Sequence, residues 1–598
     1  MNLKIKILIV IVLLVKIKVF GIEIFVSPKG SDRNSGTFLQ PFKTLERAQE
    51  EARKYAKKEK VIVYLRGGTY NIEKTIVFDA KDSGKKGRPI IYAAYKGEIP
   101  VISGGKKITN WKKDGNYIYK APSNGQVFRQ LYVNNTKALR SRYPNGNEYL
   151  KLINWNGGNK TIRLEKGTLK DWKNFNEIEI FVQMSWSISI MRLEEFTPNL
   201  NFDALTVTNP EKNIVFKRKF PPRRPNQAFH LENSREFIDV PGEWSLDKKN
   251  EFVYYYPRHD EDMSKVEVIV PGVTTLFHIK GSLNKPVKYL QFKGIKFMHS
   301  NWTRPSEKGY LNIQAGQYNV EPTYQNIQYV ERPPAAVLVE AAHNVVFERN
   351  IFNQIGAVAL DLHYGTKDCE VVGNVFYDIS GTAISHAKLS DPGVEIHLPY
   401  NPKDKRELCV NDRIHNNYIT KTGFDYGGAI GILSGWPVGV EIDHNEIKDL
   451  AYTGISVGWG WTHESSAMKN VKIRWNKIDN PCSFFGDGGG IYTLSEMPGS
   501  LVFRNHVFNV NRSEWATGAS TKCFYFDEGS GGITIQENLA QAGEGIERYR
   551  FHDAGEIISK PKKRSMYDGI KKEAGLLEEY QDIKNKVKLT EKQTQKNE

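Results

Sequence analysis

An asparagine returns seven times in the second half of the chain, each time three positions after a branched or aromatic apolar residue. The pairs are Phe347/Asn350, Val371/Asn374, Ile414/Asn417, Ile442/Asn445, Ile473/Asn476, Val502/Asn505 and Ile535/Asn538. The intervals are 24, 43, 28, 31, 29 and 33 residues, so a fixed corner recurs while the loops between corners vary. A unit of this length that cannot bury its apolar face alone must stack on copies of itself. Each unit is strand-like, with apolar alternation, a polar turn and a second apolar run opened by glycine. Stacked amides one strand spacing apart (~4.8 Å) hydrogen-bond up the stack. The pattern predicts an all-β chain, a right-handed parallel β-helix. A leucine-rich solenoid would need a Leu/Asn consensus every ~20–29 residues, which is absent.

A solenoid also accommodates 598 residues without a single large core. Residues 1–21 have a basic start, nine consecutive aliphatics from Ile7 to Val15 and a small residue at Gly21. They are expected to be a cleavable export signal, giving a secreted, periplasmic or cell-surface protein with no membrane span after cleavage. The net charge of +16 suits an acidic polysaccharide but also follows from a general lysine bias. No motif points to nucleic acid, and a monomer is expected. Four cysteines (Cys369, Cys409, Cys482 and Cys523) are too few for a disulfide scaffold and lack the paired spacing of a zinc site. They read as buried small hydrophobes. No metal or cofactor is indicated; calcium is the one ion the fold class leaves open.

The chain divides into five segments. After the signal, residues 22–110 carry the first rungs and a capping helix begun by Thr44. From 111 to 270 the repeat stops, and hairpin-like strands predict an inserted β-sandwich-like domain. The main β-helix resumes over 271–556, and 557–598 form a C-terminal cap segment around Ala574-Gly-Leu-Leu with a basic tail.

A packed interior leaves chemistry to outward side chains of one sheet and its loops. Aligning the glycine-opened runs places Asp361, His363, Ser385, His386, Ser456, Tyr492 and Asp527 among alternating apolar residues. Trp459, Trp461 and His463 lie beside them, and aromatic faces next to polar groups suit sugars. Trp459 and Trp461 alternate with glycine, so an extended strand would point both to one face. Asp487 sits in Phe484-Phe-Gly-Asp-Gly-Gly-Gly-Ile-Tyr, where glycines leave the acid uncovered, and Asp527 ends the matching strand of the next rung. Two carboxylates on neighbouring rungs are what glycosidic hydrolysis needs, one to protonate the leaving oxygen and one to attack or activate water. His363, His386, Trp459, Trp461, His463 and Tyr492 are the candidate substrate contacts.

Several of these segments resemble the extracellular β-helix glycoside hydrolases of family 141. They are Gly30-Ser-Asp-x-Asn-x-Gly-Thr with Pro41-Phe-Lys-Thr-Leu; Leu131-Tyr-Val-Asn with Arg142-Tyr-Pro-Asn; Pro241-Gly-Glu-Trp-x-Leu-Asp; Ile455-Ser-Val-Gly-Trp-Gly-Trp; and Gly486-Asp-Gly-Gly-Gly-Ile-Tyr. The resemblance implies hydrolysis of plant cell-wall glycans, of α-L-fucosidase or xylanase type, with Asp487 and Asp527 as the paired aspartates. Two other readings fit the residues less closely. A polysaccharide lyase would use a basic residue such as Lys388, Arg406 or Lys522. A non-catalytic carbohydrate-binding β-helix would show near-identical rungs.

Overall fold

The computed structural model describes residues 21–321, 330–389, 398–552, 557–559 and 564–587. The expected signal segment, apart from Gly21, and the end of the basic tail lie outside them. Three long parallel sheets of twelve, ten and ten strands wind around one core, with the first strand of each rung pairing only with the rungs before and after it. This is the stacked architecture that the repeat demands.

The corner asparagines explain why the stack keeps its register. Asn350 donates its side-chain amide to Asn374 Oδ1 at 3.0 Å, and the same bond links each asparagine to the next as far as Asn538. At Asn445 the side-chain oxygen also accepts the backbone N–H of Asn417, and its second amide hydrogen goes to the Ile414 carbonyl. All donors and acceptors of the amide are therefore used. The residue before each asparagine, from Arg349 to Glu537, is left-handed with φ between 50° and 64°. For the six that are not glycine such a turn costs roughly 1–2 kcal/mol each, and the buried amide bonds offset it.

The sequence pattern does not separate the strand after each asparagine, for example Ile351–Ile355 or Glu446–Leu450, from the glycine-opened strand that comes next. A rung therefore has three sides. The third sheet carries the glycine-opened runs, and its register lines up Asp361, Ser385, Leu433, Ser456, Tyr492 and Tyr525 on the outer face.

Thr44 caps an α-helix, α1 (Leu45–Tyr55), by accepting the Arg47 N–H. Its buried face of Leu45, Ala48, Gln49 and Ala52 packs on the first rungs, so their core is not left open. Residues 105–271 form mainly antiparallel sheets, with one parallel pairing of Leu139–Arg140 to Glu243–Trp244, around two hydrophobic cores, one built on Trp244, Tyr255 and Phe128, the other on Ile180, Met191 and Leu231. Within this region a five-stranded sheet holds Trp244, and a larger sheet extends onto Tyr310–Gln314 of the main chain run. Near the C-terminus, Leu576 and Ile583 pack on Val375, Tyr377 and Tyr418 along the flank of the solenoid. The four cysteines are buried and free.

Candidate active site

Asp487 precedes the third-sheet strand Gly489–Thr493, and Asp527 comes directly after the next strand, Lys522–Phe526. Backbone bonds fix both. Asp487 is left-handed (φ 56°), its N–H donates to the Ala519 carbonyl and its own carbonyl accepts the Tyr452 hydroxyl at 2.8 Å. The Asp527 N–H donates to the Thr493 carbonyl. The glycines after Asp487 do more than uncover it. A Cβ at Gly488 would lie 2.5 Å from the Tyr452 ring, and one at Gly490 would lie 2.3 Å from Val507. Both distances are too short for any side chain, so close packing requires glycine there.

Tyr492 and Tyr525, outward neighbours on adjacent strands with ring centroids 5.2 Å apart, separate the two acids. Tyr492 donates to Asp527 Oδ2 at 2.5 Å and in turn accepts from the Gln314 amide at 2.9 Å. Lys522 heads the Asp527 strand. Its ammonium is 3.7 Å from Asp487 Oδ1 and 3.8 Å from the Tyr525 ring centre, with a side chain only 4% exposed.

The electrostatics divide these groups. Burial, together with the charge of Asp527, raises the Asp487 pKa against the pull of Lys522. Burial lowers the Lys522 pKa while both aspartates raise it. Burial and then the Asp527 charge push the Tyr492 and Tyr525 hydroxyls well up, so both stay protonated and able to donate. A carboxyl whose pKa is raised by burial, near a second carboxyl group that accepts a phenol hydrogen, is placed to donate a proton.

The remaining candidates separate. Trp461 is half-buried and packs on Tyr492, Leu494 and Tyr525, which brings it to the site. The strand before it ends at Val457, and Gly458 and Gly460 are left-handed (φ 94° and 93°), so the Gly-Trp-Gly-Trp run is a loop rather than the expected extended strand. Trp459 is buried behind Trp461, ring centroids 6.3 Å apart, and is 1% exposed. His463 is exposed on the same loop. His363 pairs with Glu340, which also holds His278, four rungs from Tyr492 or about 19 Å at one strand spacing per rung.

His386 does not reach the outer face at all. It has the inward parity of Ile384 and lies inside the solenoid, between the Ser434 hydroxyl at 2.8 Å and Asp412 at 3.1 Å. Burial disfavours its charge, but bonds to Asp412 and Cys409 win and raise its pKa to about 10. His386, Cys409 and Asp412 are the one group among the described residues with three ligand-type atoms within 4.8 Å of one another. Asp412 already accepts from the Cys369 N–H and the Thr366 hydroxyl, so the cluster is a satisfied internal network that needs no ion.

Sequence reasoning had Lys522 only as a basic residue for a lyase and did not find Tyr452, Tyr525 or Gln314. The alternation Lys522-Cys-Phe-Tyr-Phe-Asp527 holds the signal for Tyr525; Gln314 is 178 residues from Tyr492 and carries none.

Residues 116–258 match the family profile described as the GH141 insertion domain. A solved structure described as "Glycoside hydrolase" superposes with a TM-score of 0.89 at 32% identity, covering 94% of this chain and 100% of that one. Two curated relatives match over short stretches. The uncharacterized protein YwoF of Bacillus subtilis (strain 168) is 43% identical over 84 residues, 14% of this chain and 16% of its own length. Pectate lyase PEL9 of Emericella nidulans is 35% identical over 86 residues, 14% of this chain and 19% of its own length. The chain thus spans less than a fifth of either curated relative. The full-length match to the solved structure, joined to the matched insertion domain, settles the family: the chain belongs to the glycoside hydrolases, as a right-handed parallel β-helix protein of the family 141 kind.

Proposed function

We propose that the protein is exported and cleaves a glycosidic bond in a plant cell-wall polysaccharide or oligosaccharide, of α-L-fucosidase or xylanase type, using Asp487 and Asp527. The observation that carries the reading is the asymmetry of the pair. Asp487 is held toward its neutral form by burial and by the charge of Asp527, whereas Asp527 accepts a 2.5 Å bond from Tyr492. Asp487 therefore donates its proton to the departing oxygen. Asp527, oriented by Tyr492, either attacks the anomeric carbon or takes a proton from the attacking water. Lys522 lies 3.7 Å from Asp487 and opposes too high a pKa, which stabilises the carboxylate left once the proton has gone to the departing oxygen.

Leaving-group dependence tests the division of labour. An aryl glycoside with a strongly acidic phenol needs no general acid, so Asp487→Asn should retain most activity on it and lose at least ~10²-fold on a poor leaving group. Asp527→Asn should lose activity on both. Equal losses in the two variants on both substrates would remove the assignment.

One observation favours a second reading. A buried lysine with a lowered pKa is the base that β-elimination requires, and Lys522 is such a residue. Against it, both neighbouring carboxylates would repel the uronate that a lyase must bind. Ultraviolet-absorbing unsaturated products from a uronic-acid polymer would decide for the lyase.

A further inference from the structure

The loop that carries Asp487 is tied to two walls. On one side the insertion domain reaches it, with Gln183 Nε2 donating to the Phe484 carbonyl at 2.9 Å and the Gly486 N–H donating to the Ser185 carbonyl at 3.2 Å. On the other, the segment before Lys522 receives the Asp487 N–H at the Ala519 carbonyl. Each wall contributes an aromatic ring, and the Tyr149 ring stands next to both Phe484 and Trp515. Tyr149 of the insertion domain lies 5.2 Å from Phe484 and 5.1 Å from Trp515, centroid to centroid, with tilts of 41° and 51°.

Phe484 packs on the edge of the main core, but the other two rings stand outside any core. All three are half-buried, and Tyr149 and Trp515 belong to none of the five hydrophobic clusters among the described residues. Cations flank them: the Arg142 guanidinium stands 4.5 Å over Tyr149 and the Lys151 ammonium 5.7 Å over Trp515. Aromatic edges and faces bordered by hydrogen-bond donors suit a pyranose, which presents C–H groups on its face and hydroxyls on its rim. Three chain segments far apart in sequence meet here, three residues from Asp487.

We propose that Tyr149, Phe484 and Trp515 form a sugar-binding subsite on the leaving-group side of the scissile bond, so that the insertion domain completes the substrate cleft. The inference rests on Asp487 as the acid, because the acid stands next to the departing oxygen and therefore next to the sugar that departs. The occupant is the ring that leaves, whatever sugar is cleaved from it. A small aryl leaving group would not fill the subsite.

The test compares substrates that share the cleaved sugar and differ only beyond it: 4-nitrophenyl α-L-fucoside with 2′-fucosyllactose, and 4-nitrophenyl β-D-xyloside with xylotetraose. Trp515→Ala and Tyr149→Ala should raise KM for the oligosaccharide by about five- to tenfold each and leave the aryl glycoside unchanged within twofold. Trp515→Phe should restore much of the loss. Binding of the same oligosaccharides to Asp487→Asn protein, followed by tryptophan fluorescence, gives a readout free of turnover. A quench that disappears in the Asp487→Asn/Trp515→Ala double variant supports the subsite. Equal affinity with and without Trp515, or equal KM changes on both substrate classes, overturns it. Activity that survives Asp487→Asn on every substrate would instead overturn the acid assignment, whatever the aromatic variants do.

Discussion

Replacing Asn445 by leucine tests the ladder at its centre. Leucine matches the bulk of asparagine and removes four hydrogen bonds. They are the two amide donations, to the Ile414 carbonyl at 2.9 Å and to Asn476 Oδ1 at 3.0 Å, and the two acceptances, from the Asn417 backbone N–H and the Asn417 amide, both at 3.0 Å. Asn476 Oδ1 keeps the Asn445 backbone N–H as a donor. The Asn417 N–H and one Asn417 amide hydrogen lose their partner in a position where no water reaches, while the Ile414 carbonyl stays in the parallel ladder with the next rung. At ~1–3 kcal/mol for each such group the loss is at least about 2 kcal/mol, less whatever the leucine methyls recover by burial. Lys448→Leu, on the exposed face of the same rung, breaks only long ion pairs to Asp449 and Asp479 at 3.6 and 3.9 Å. It should stay within about 0.5 kcal/mol of the parent. Urea unfolding followed by circular dichroism gives the comparison, with the slope checked for a change in cooperativity. An unchanged midpoint for Asn445→Leu would refute the ladder as a source of stability.

The two aspartates and the side chains around them give further expectations. Because the Asp487 pKa is raised in the fold, ionising it opposes folding, and that penalty grows as pH rises from the unfolded carboxyl pKa through the folded one. Asp487→Asn should therefore melt no lower than the parent at neutral pH, and a clear fall in Tm would contradict the pKa direction. Lys522→Met removes the charge that lowers the Asp487 pKa, so the alkaline limb of the kcat/KM profile should move to higher pH; an unmoved limb would exclude the coupling. Tyr492→Phe deletes the 2.5 Å donor to Asp527 and should lower kcat by about tenfold or more with little change in KM, read by steady-state kinetics on an aryl glycoside. Trp461→Ala should weaken substrate binding more than it lowers Tm, since Trp461 packs on the outer tyrosines; a large Tm loss with unchanged KM assigns it to packing.

The fold was readable because a buried amide has few ways to be satisfied. An asparagine recurring at a fixed offset from an apolar residue announces a stack before any strand is located. The second strand of each rung was not readable, since five residues such as Ile351–Ile355 give too short an alternation to set apart from the glycine-opened strand beyond. The two aspartates stood out through the glycines beside them and their place on adjacent rungs, although the strand register sets them at opposite ends of the paired strands. His386 misled because a polar side chain reads as outward despite its local parity with Ile384, and the partner that makes an inward place tolerable, Asp412, is 26 residues away. The contributions of Gln314, Tyr149 and Ser185 come from elements more than 150 residues from their partners along the chain, and only the folded geometry brings them in.

Seen along the solenoid axis, the asparagine corners act as a ruler that ignores everything between its marks. Asn350 and Asn374 are bonded across 24 residues and Asn374 and Asn417 across 43, at the same 3.0 Å. A loop can therefore lengthen, shorten or be exchanged while the corner beneath it holds the same spacing and the outer row from Asp361 to Tyr525 keeps its order. Scaffold and specificity are thus separable modules in one chain. Exchanging the Trp459–His463 loop for another would change the outer surface and leave the corner register beneath it untouched, whereas the 511–521 segment cannot be exchanged so freely, because its Ala519 carbonyl holds the Asp487 N–H.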